Sequence, residues 1–175
     1  MINLQLVFPE IFLSLSIMFL LILGVFKKDS SKLIQNVSLV VLLVTAVITF
    51  NETIGINEVK LFNDSIIIDY LSSLMKIVTL LATFLVLIIS SNYLRTFKIF
   101  KIEYPILILS SVLGMMIMIN SNDLIVFYMG LELQSLALYV LATFNRDQIK
   151  SSEAGLKYFV LSALSSGLLL YGCSL

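Results

Sequence analysis

The chain has no histidine and a single cysteine, Cys173, among its 175 residues. These two residue types supply most zinc, haem and iron–sulfur ligands, so no such centre is predicted as a property of this chain alone. One cysteine also excludes an internal disulfide. Charged residues make up only 13% of the chain and their formal net charge is zero. Because the basic residues fall in small groups between apolar runs, no nucleic-acid-binding surface is predicted.

Apolar residues dominate what remains. They make up 59% of the chain, and the mean hydropathy is +1.07, far from the range of ordinary soluble domains. The sequence contains five or six apolar runs of about 18 to 22 residues, each long enough to cross a hydrocarbon core of about 30 Å. The runs lack the strict alternation of a transmembrane barrel. We therefore predict an all-α, polytopic membrane helix bundle that forms a single membrane domain over residues 1–175.

Six transmembrane helices are predicted from these runs and from the start signals that precede them. Pro9 and Glu10 suit a first helical turn, and Ser151-Ser-Glu153 is typical of the start of the last helix. No basic leader precedes the first run, so we expect it to remain in the mature protein. Residues 51–69 are too polar to insert and are expected to form a turn or short hairpin outside the membrane. The predicted helices are about 9–26, 33–50, 70–92, 104–119, 123–144 and 153–174.

The distribution of basic residues predicts which side of the membrane each loop faces. Eight of the eleven follow the first, third and fifth helices, whereas the intervening loops hold only Lys60. By the positive-inside rule, the first set faces the cytoplasm or mitochondrial matrix and segment 51–69 faces the opposite compartment. The eight are Lys27, Lys28, Lys32, Arg95, Lys98, Lys101, Arg146 and Lys150.

Glu132 is the residue most indicative of function, because it lies in the middle of the fifth predicted helix. An ionised side chain at that depth costs about 2.5 to 3.5 kcal/mol on insertion scales, so such residues are rare unless they are used. Helical spacing places Tyr128, Ser135 and Tyr139 on the same face. We interpret this stripe as the lining of a hydrated path and Glu132 as a proton or ion site. The alternative is a structural acid that locks helix packing.

Two lysines inside predicted helices are further candidates. Lys157 lies about five residues into the sixth helix, so its ammonium can either reach the interface or serve a functional site. Glu153, four residues earlier, has the spacing for an ion pair with it at the membrane rim. Lys76 lies about one and a half turns into the third helix, close to Asp69. A structural role is the favoured interpretation for Lys76, with proton translocation as the other.

Several strings in the chain resemble one family. They include Asn122-Asp-Leu-Ile-Val-Phe-Tyr-Met-Gly-Leu-Glu-Leu-Gln-Ser135, Ser152-Glu-Ala-Gly-Leu-Lys-Tyr-Phe-Val-Leu-Ser-Ala-Leu-Ser-Ser-Gly167, Tyr171-Gly-Cys173, Pro9-Glu10 and Gly114-Met-Met116. The chain resembles subunit 2 of mitochondrial respiratory complex I, called subunit N in bacteria. The resemblance covers most of the chain and corresponds to the N-terminal six-helix portion of the family.

The resemblance implies an antiporter-like subunit of the membrane arm of NADH:ubiquinone oxidoreductase. Such a subunit contributes to proton translocation while other subunits oxidise NADH and reduce ubiquinone, so this chain itself is expected to bind no cofactor. Glu132 and Lys157 match the family's helix-five glutamate and helix-six lysine. The implied partners are the other membrane-arm subunits and the lipid bilayer.

Family members continue through further helices, so the resemblance also implies a second polypeptide that supplies them. Two other interpretations are a component of a secondary cation/proton antiporter and a structural remnant of a split subunit. The high usage of Ile, Phe, Asn and Lys is typical of AT-rich organellar genomes. It favours the mitochondrial inner membrane, with the bacterial inner membrane as the alternative.

Overall fold

The computed structural model describes residues 4–26, 31–53, 58–96, 101–145 and 147–174. Six α-helices dominate these residues, and each is long and apolar enough to cross a membrane. The predicted all-α, multi-pass membrane fold is therefore confirmed. After a short 3₁₀ helix at Leu4–Val7, the helices are α1 (Phe8–Phe26), α2 (Ser31–Thr53), α3 (Tyr70–Thr96), α4 (Glu103–Asn120), α5 (Leu124–Ala142) and α6 (Ile149–Ser174).

The last helix begins earlier than the sequence suggested, at Ile149 instead of Glu153. The carbonyl of Gln148 accepts hydrogen bonds from the N–H groups of Ser151 and Ser152, at 3.0 and 3.2 Å. The Ser151 hydroxyl donates across to the carbonyl of Ala142 at the end of α5 (2.9 Å) and does not cap its own helix. Lys157 consequently lies about two turns into α6, deeper than predicted.

Four helices form the hydrophobic core. Buried side chains of α1, α2, α3 and α4 pack together around Leu13, Leu42, Leu80, Leu109 and Met116. The fifth helix packs mainly against α4, and α6 packs against α5. Gly155 is the one buried residue of α6 among those that the structure describes. The two helices that carry Glu132 and Lys157 therefore lie at the edge of the bundle.

Glycines allow α4 and α5 to pack backbone against backbone. A Cβ atom placed on Gly114 would lie 2.7 Å from the backbone nitrogen of Gln134, and one on Gly130 would lie 2.9 Å from that of Met118. Side chains at either position would force the helices apart. This crossing fixes the position of Glu132, which follows Gly130 by two residues on α5.

The segment after α2 contains an antiparallel hairpin of β1 (Val59–Leu61) and β2 (Ile66–Ile68). Its turn uses three non-glycine residues with positive φ, at Phe62, Asn63 and Asp64. The link between α4 and α5 holds the hairpin, because the Asn122 N–H donates to the Ser65 carbonyl (2.9 Å) and its side chain donates to the Asp64 carbonyl (2.6 Å). The hairpin thus covers one end of the bundle.

Replacing Gly114 or Gly130 with alanine should lower the stability of the folded chain by about 1 to 3 kcal/mol, because each added methyl group meets backbone atoms that cannot move aside. The measurement is the thermal unfolding midpoint of the purified membrane assembly. Gly167→Ala is the matched control, because a Cβ there has nothing within 4 Å. Alanine's higher helix propensity should leave that control unchanged or slightly more stable. Equal effects at all three glycines would contradict the proposed close packing.

Candidate functional site

Glu132 occupies the interior of α5, eight residues after Leu124 and ten before Ala142. These separations correspond to about 12 and 15 Å along the helix, so the carboxyl group is far from both ends. The side chain is half-buried, and its Oε2 atom is buried without a hydrogen-bond partner among the residues described. Because an unpartnered buried acceptor costs free energy, this oxygen is a place where water or a proton would bind favourably.

The polar stripe predicted around Glu132 makes separate contacts instead of one continuous network. The Ser135 hydroxyl donates to the backbone carbonyl of Glu132 at 3.0 Å, so it back-bonds to its own helix. Tyr128 lines a cavity of about 340 Å³ between the start of α5 and the end of α6, together with Asp123, Leu169 and Ser174. The stripe therefore offers a cavity on the Tyr128 side of Glu132.

Tyr139 marks the opposite end of the stripe and joins α5 to α6. Its buried ring makes edge contacts with Tyr158 and Phe159, whose ring centroids lie 4.9 and 5.7 Å away. Its hydroxyl forms a hydrogen bond with the Ser162 hydroxyl. Tyr139 thus has a packing role that connects the Glu132 helix to the Lys157 helix.

Lys157 forms the ion pair with Glu153 that helical spacing predicted. Its Nζ lies 2.6 Å from Glu153 Oε1, and the two side chains are 69% and 59% exposed. Both residues are described by the structure, as is Glu132, and no ion pair joins Lys157 to Glu132. The two candidates thus lie on neighbouring helices without direct contact.

Lys76 has a different partner from the Asp69 that its position suggested. Its Nζ lies 2.5 Å from Glu10 Oε1 on α1, and both side chains are almost completely buried. Asn120, at the end of α4, donates from Nδ2 to the same Glu10 oxygen at 2.9 Å. Asp69 instead caps α3, where its Oδ1 accepts from the Ser72 N–H at 2.7 Å. The expected proximity of Lys76 to Asp69 therefore does not produce an ion pair.

Sequence reasoning missed Glu10 and Asn120 as site residues. Glu10 had been interpreted as a favourable acid at a helix start, a position that it does occupy as the third residue of α1. The signal for this role is that an acid, Glu10, and a base, Lys76, lie near the starts of two predicted spans that begin on the same side of the membrane. Such a pair inside a membrane domain is expected to meet, because an unpaired charge there is costly.

Several basic residues used for the orientation prediction, Lys27, Lys28, Lys98 and Arg146, lie outside the described residues, as does the side chain of Arg95. Lys32, Lys101 and Lys150 are described and exposed. The orientation of the bundle in the membrane stays a prediction.

Comparisons with known proteins show which sequences this chain resembles. Residues 121–175, which hold Glu132 and Lys157, match the family model described as "NADH:quinone oxidoreductase/Mrp antiporter, TM". The NADH-quinone oxidoreductase subunit N of Pelagibacter ubique is 67% identical over 173 residues, covering 99% of this chain and 36% of the relative. Subunit N of Maricaulis maris is 49% identical over 175 residues, with coverages of 99% and 36%.

A third relative, subunit N of Paramagnetospirillum magneticum, is 47% identical over 169 residues, covering 97% of this chain and 34% of that protein. The chain thus spans about a third of the length of the curated relatives it matches. The resemblance that the sequence motifs indicated is confirmed by this similarity along nearly the whole chain.

Replacing Glu10 with glutamine should destabilise the bundle by about 3 to 5 kcal/mol, because it removes the one carboxylate in direct contact with the buried ammonium of Lys76 among the described residues. The double variant Glu10→Gln/Lys76→Met should recover a large part of that loss, since it removes both buried charges. The measurement is a thermal unfolding series of the assembly carrying each single variant and the double. Strictly additive effects of the two substitutions would show that the pair is not coupled.

Proposed function

We propose that this chain, related over nearly its whole length to part of bacterial NADH-quinone oxidoreductase subunit N, contributes to proton translocation in the membrane arm of that complex. Other subunits would use NAD and ubiquinone, and this chain would carry no redox centre. The observation that carries the proposal is the deep carboxyl group of Glu132, whose Oε2 is buried without a partner in the segment that matches the family model.

Glu132 is suited to exchange a proton because its environment leaves one carboxyl oxygen unsatisfied. The cavity lined by Tyr128 lies beside the start of α5, where Asp123 and Ser174, the latter from the end of α6, are its polar lining residues. A volume of about 340 Å³ holds several waters, and polar groups in the wall give them partners. We infer that water in this cavity connects the Glu132 region to the outer aqueous phase, with Tyr128 along the path.

Lys157 would change the electrostatic potential near Glu132 according to which acid its ammonium pairs with. Its ammonium is paired with Glu153, and most of the side chain is exposed. The other described helices cover little of the surface of α6. An acid on a neighbouring helix of the assembly could compete with Glu153 for the ammonium. Movement of the ammonium between two acids changes the electrostatic free energy of nearby proton sites without covalent chemistry.

Ser135 and Lys76 have more limited parts in this proposal. Ser135 supports the helix backbone at Glu132 through the carbonyl hydrogen bond. Lys76 belongs with Glu10 and Asn120 on other helices, so we do not place it in the Glu132 path. The Glu132 path is therefore assigned to Glu132, Tyr128 and Lys157, with Ser135 as a positioning residue.

The partners that we propose are the other membrane-arm subunits and lipid. The exposed face of α6 includes Leu161, Leu164 and Leu168, each about two-thirds exposed, and suits either apolar protein or acyl chains. That a second polypeptide supplies further helices stays a prediction, which co-purification of the native assembly tests. The relatives named above are bacterial, so we propose the bacterial inner membrane in preference to the mitochondrial inner membrane.

A secondary cation/proton antiporter is the second candidate, because the description of the matching family model names both kinds of protein. The subunit N relatives favour the redox-driven pump. Recovery of the chain in an assembly that oxidises NADH would support the pump, and recovery with cation antiporter subunits would support the alternative.

Glu132→Gln should remove most proton pumping while leaving assembly intact. Glutamine keeps the shape of the side chain, but its amide does not take up or release a proton near neutral pH. The measurement is the ratio of protons moved to NADH oxidised in sealed membranes that contain the complex. Glu58→Gln is the control, because it makes the same chemical change at an exposed position. Normal pumping by a fully assembled Glu132→Gln complex would favour the structural interpretation of this acid.

Lys157→Met should lower pumping with little effect on the fold of the bundle, because Lys157 pairs with Glu153 of its own helix and the described residues leave 69% of its side chain uncovered. Lys157→Arg keeps the positive charge and should retain part of the activity. Thermal stability and pumping are measured on the same preparations. A large loss of stability in Lys157→Met with pumping unchanged per assembled complex would assign Lys157 a structural role.

A further inference from the structure

Four helices contribute polar side chains to one cluster at the end of the bundle beneath the hairpin. Glu10 of α1, Lys76 of α3 and Asn120 of α4 are joined by the ion pair and the hydrogen bond described above. Glu52, near the end of α2, is half-buried and lies within electrostatic range of both Glu10 and Lys76. We call these four residues the four-helix cluster.

The four-helix cluster contains one more acid than base. Lys76 supplies one positive charge, whereas Glu10 and Glu52 supply two carboxyl groups. Within the described part of the chain, the other charged side chains near this end do not correct the difference: Asp69 caps α3, Asp123 caps α5, and those of the hairpin, Glu58, Lys60 and Asp64, are exposed. Because an uncompensated charge removed from water is costly, the surplus acid is a place for one additional positive charge.

The four-helix cluster also contains buried oxygen atoms without hydrogen-bond partners among the described residues, and a cavity lies beside them. Glu10 Oε2 and Asn120 Oδ1 are buried without hydrogen-bond partners among the described residues, and Glu10 and Asn120 are at least nine-tenths buried. Both residues line a cavity of about 230 Å³ together with Ser14 of α1 and Ile66 of the hairpin. A cavity of this size accommodates water, whose hydrogen atoms would satisfy both oxygens.

We propose that the four-helix cluster is a proton-binding site separate from Glu132, in which one of the two carboxyl groups, Glu10 or Glu52, carries a proton while Lys76 remains charged. The binding step is the addition of H⁺ from water in the cavity to a carboxylate oxygen, and the release step is its reverse. Ile66 of the hairpin forms part of the wall of this cavity, so the hairpin lies beside the space from which the proton would be taken up.

The proposal makes a prediction by counting charges. With two acids and one base, the parent chain should hold one exchangeable carboxyl proton at the cluster. Glu52→Gln leaves one acid and one base, so this proton should be lost while the Glu10–Lys76 ion pair remains. Glu10→Gln/Lys76→Met leaves one acid and no base, so the proton should be retained.

Infrared difference spectra of the assembled membrane complex between about pH 6 and 9 test this count, since exposed carboxyl groups with pKa near 4 stay ionised throughout that range. All variants carry Glu132→Gln, which removes the signal of that residue and keeps the test independent of the proposed function. The expected result is a component of the carboxylic acid C=O band that is present in the parent and in Glu58→Gln and is absent from Glu52→Gln.

Retention of the whole band in Glu52→Gln would overturn the proposal, because the surplus acid would then not be the cause of proton binding. Loss of the band in both Glu10→Gln/Lys76→Met and Glu52→Gln would also overturn the proposal. The count of acids and bases predicts that the first variant keeps the proton and that the second loses it. Displacement of the band by Na⁺ at constant pH would identify a cation site and would also overturn it.

Discussion

The cost of removing charge from water constrains this chain more strongly than any other physical effect. Its helices are apolar enough for the bilayer, so every ionised group within them requires a counter-charge, a hydrogen bond or a proton. Glu10 and Lys76 meet the requirement by pairing across two helices, with Asn120 as a donor from a third. Glu132 meets it only in part, because one of its carboxyl oxygens has no partner among the described residues.

The bundle consists of a four-helix core and two peripheral helices. Helices α1 to α4 share a buried apolar core, and the buried ion pair lies within this part. Helix α5 is held against α4 by the glycine crossing, while α6 contacts the remainder mainly through α5. Tyr139 therefore connects the two edge helices at the point where Ser162 and the neighbouring aromatic rings meet it. This arrangement leaves the proposed path beside α6, the helix that the described residues cover least.

Some features of the site followed from local sequence and others did not. The depth of Glu132 depends only on its place within one apolar run, and the Glu153–Lys157 pair depends only on a spacing of four in one helix. The start of α6 was misplaced because Ser151 bonds to α5 instead of capping its own helix, a choice that local pattern does not reveal. The sequence placed Lys76 close to Asp69 but did not reveal its partner Glu10, and capping of α3 occupies the Asp69 carboxylate.

The membrane class, the six spans, the hairpin region and the position of Glu132 follow from the sequence, because hydrophobicity and helical spacing act over short distances along the chain. Which polar groups meet depends instead on how the helices pack. The four-helix cluster joins residues from separate spans, and Asn120 lies 110 positions from the glutamate that it contacts. The physical reason is that the pairing of buried charges depends on which helices pack together and at what height, and neither quantity is encoded within a single span.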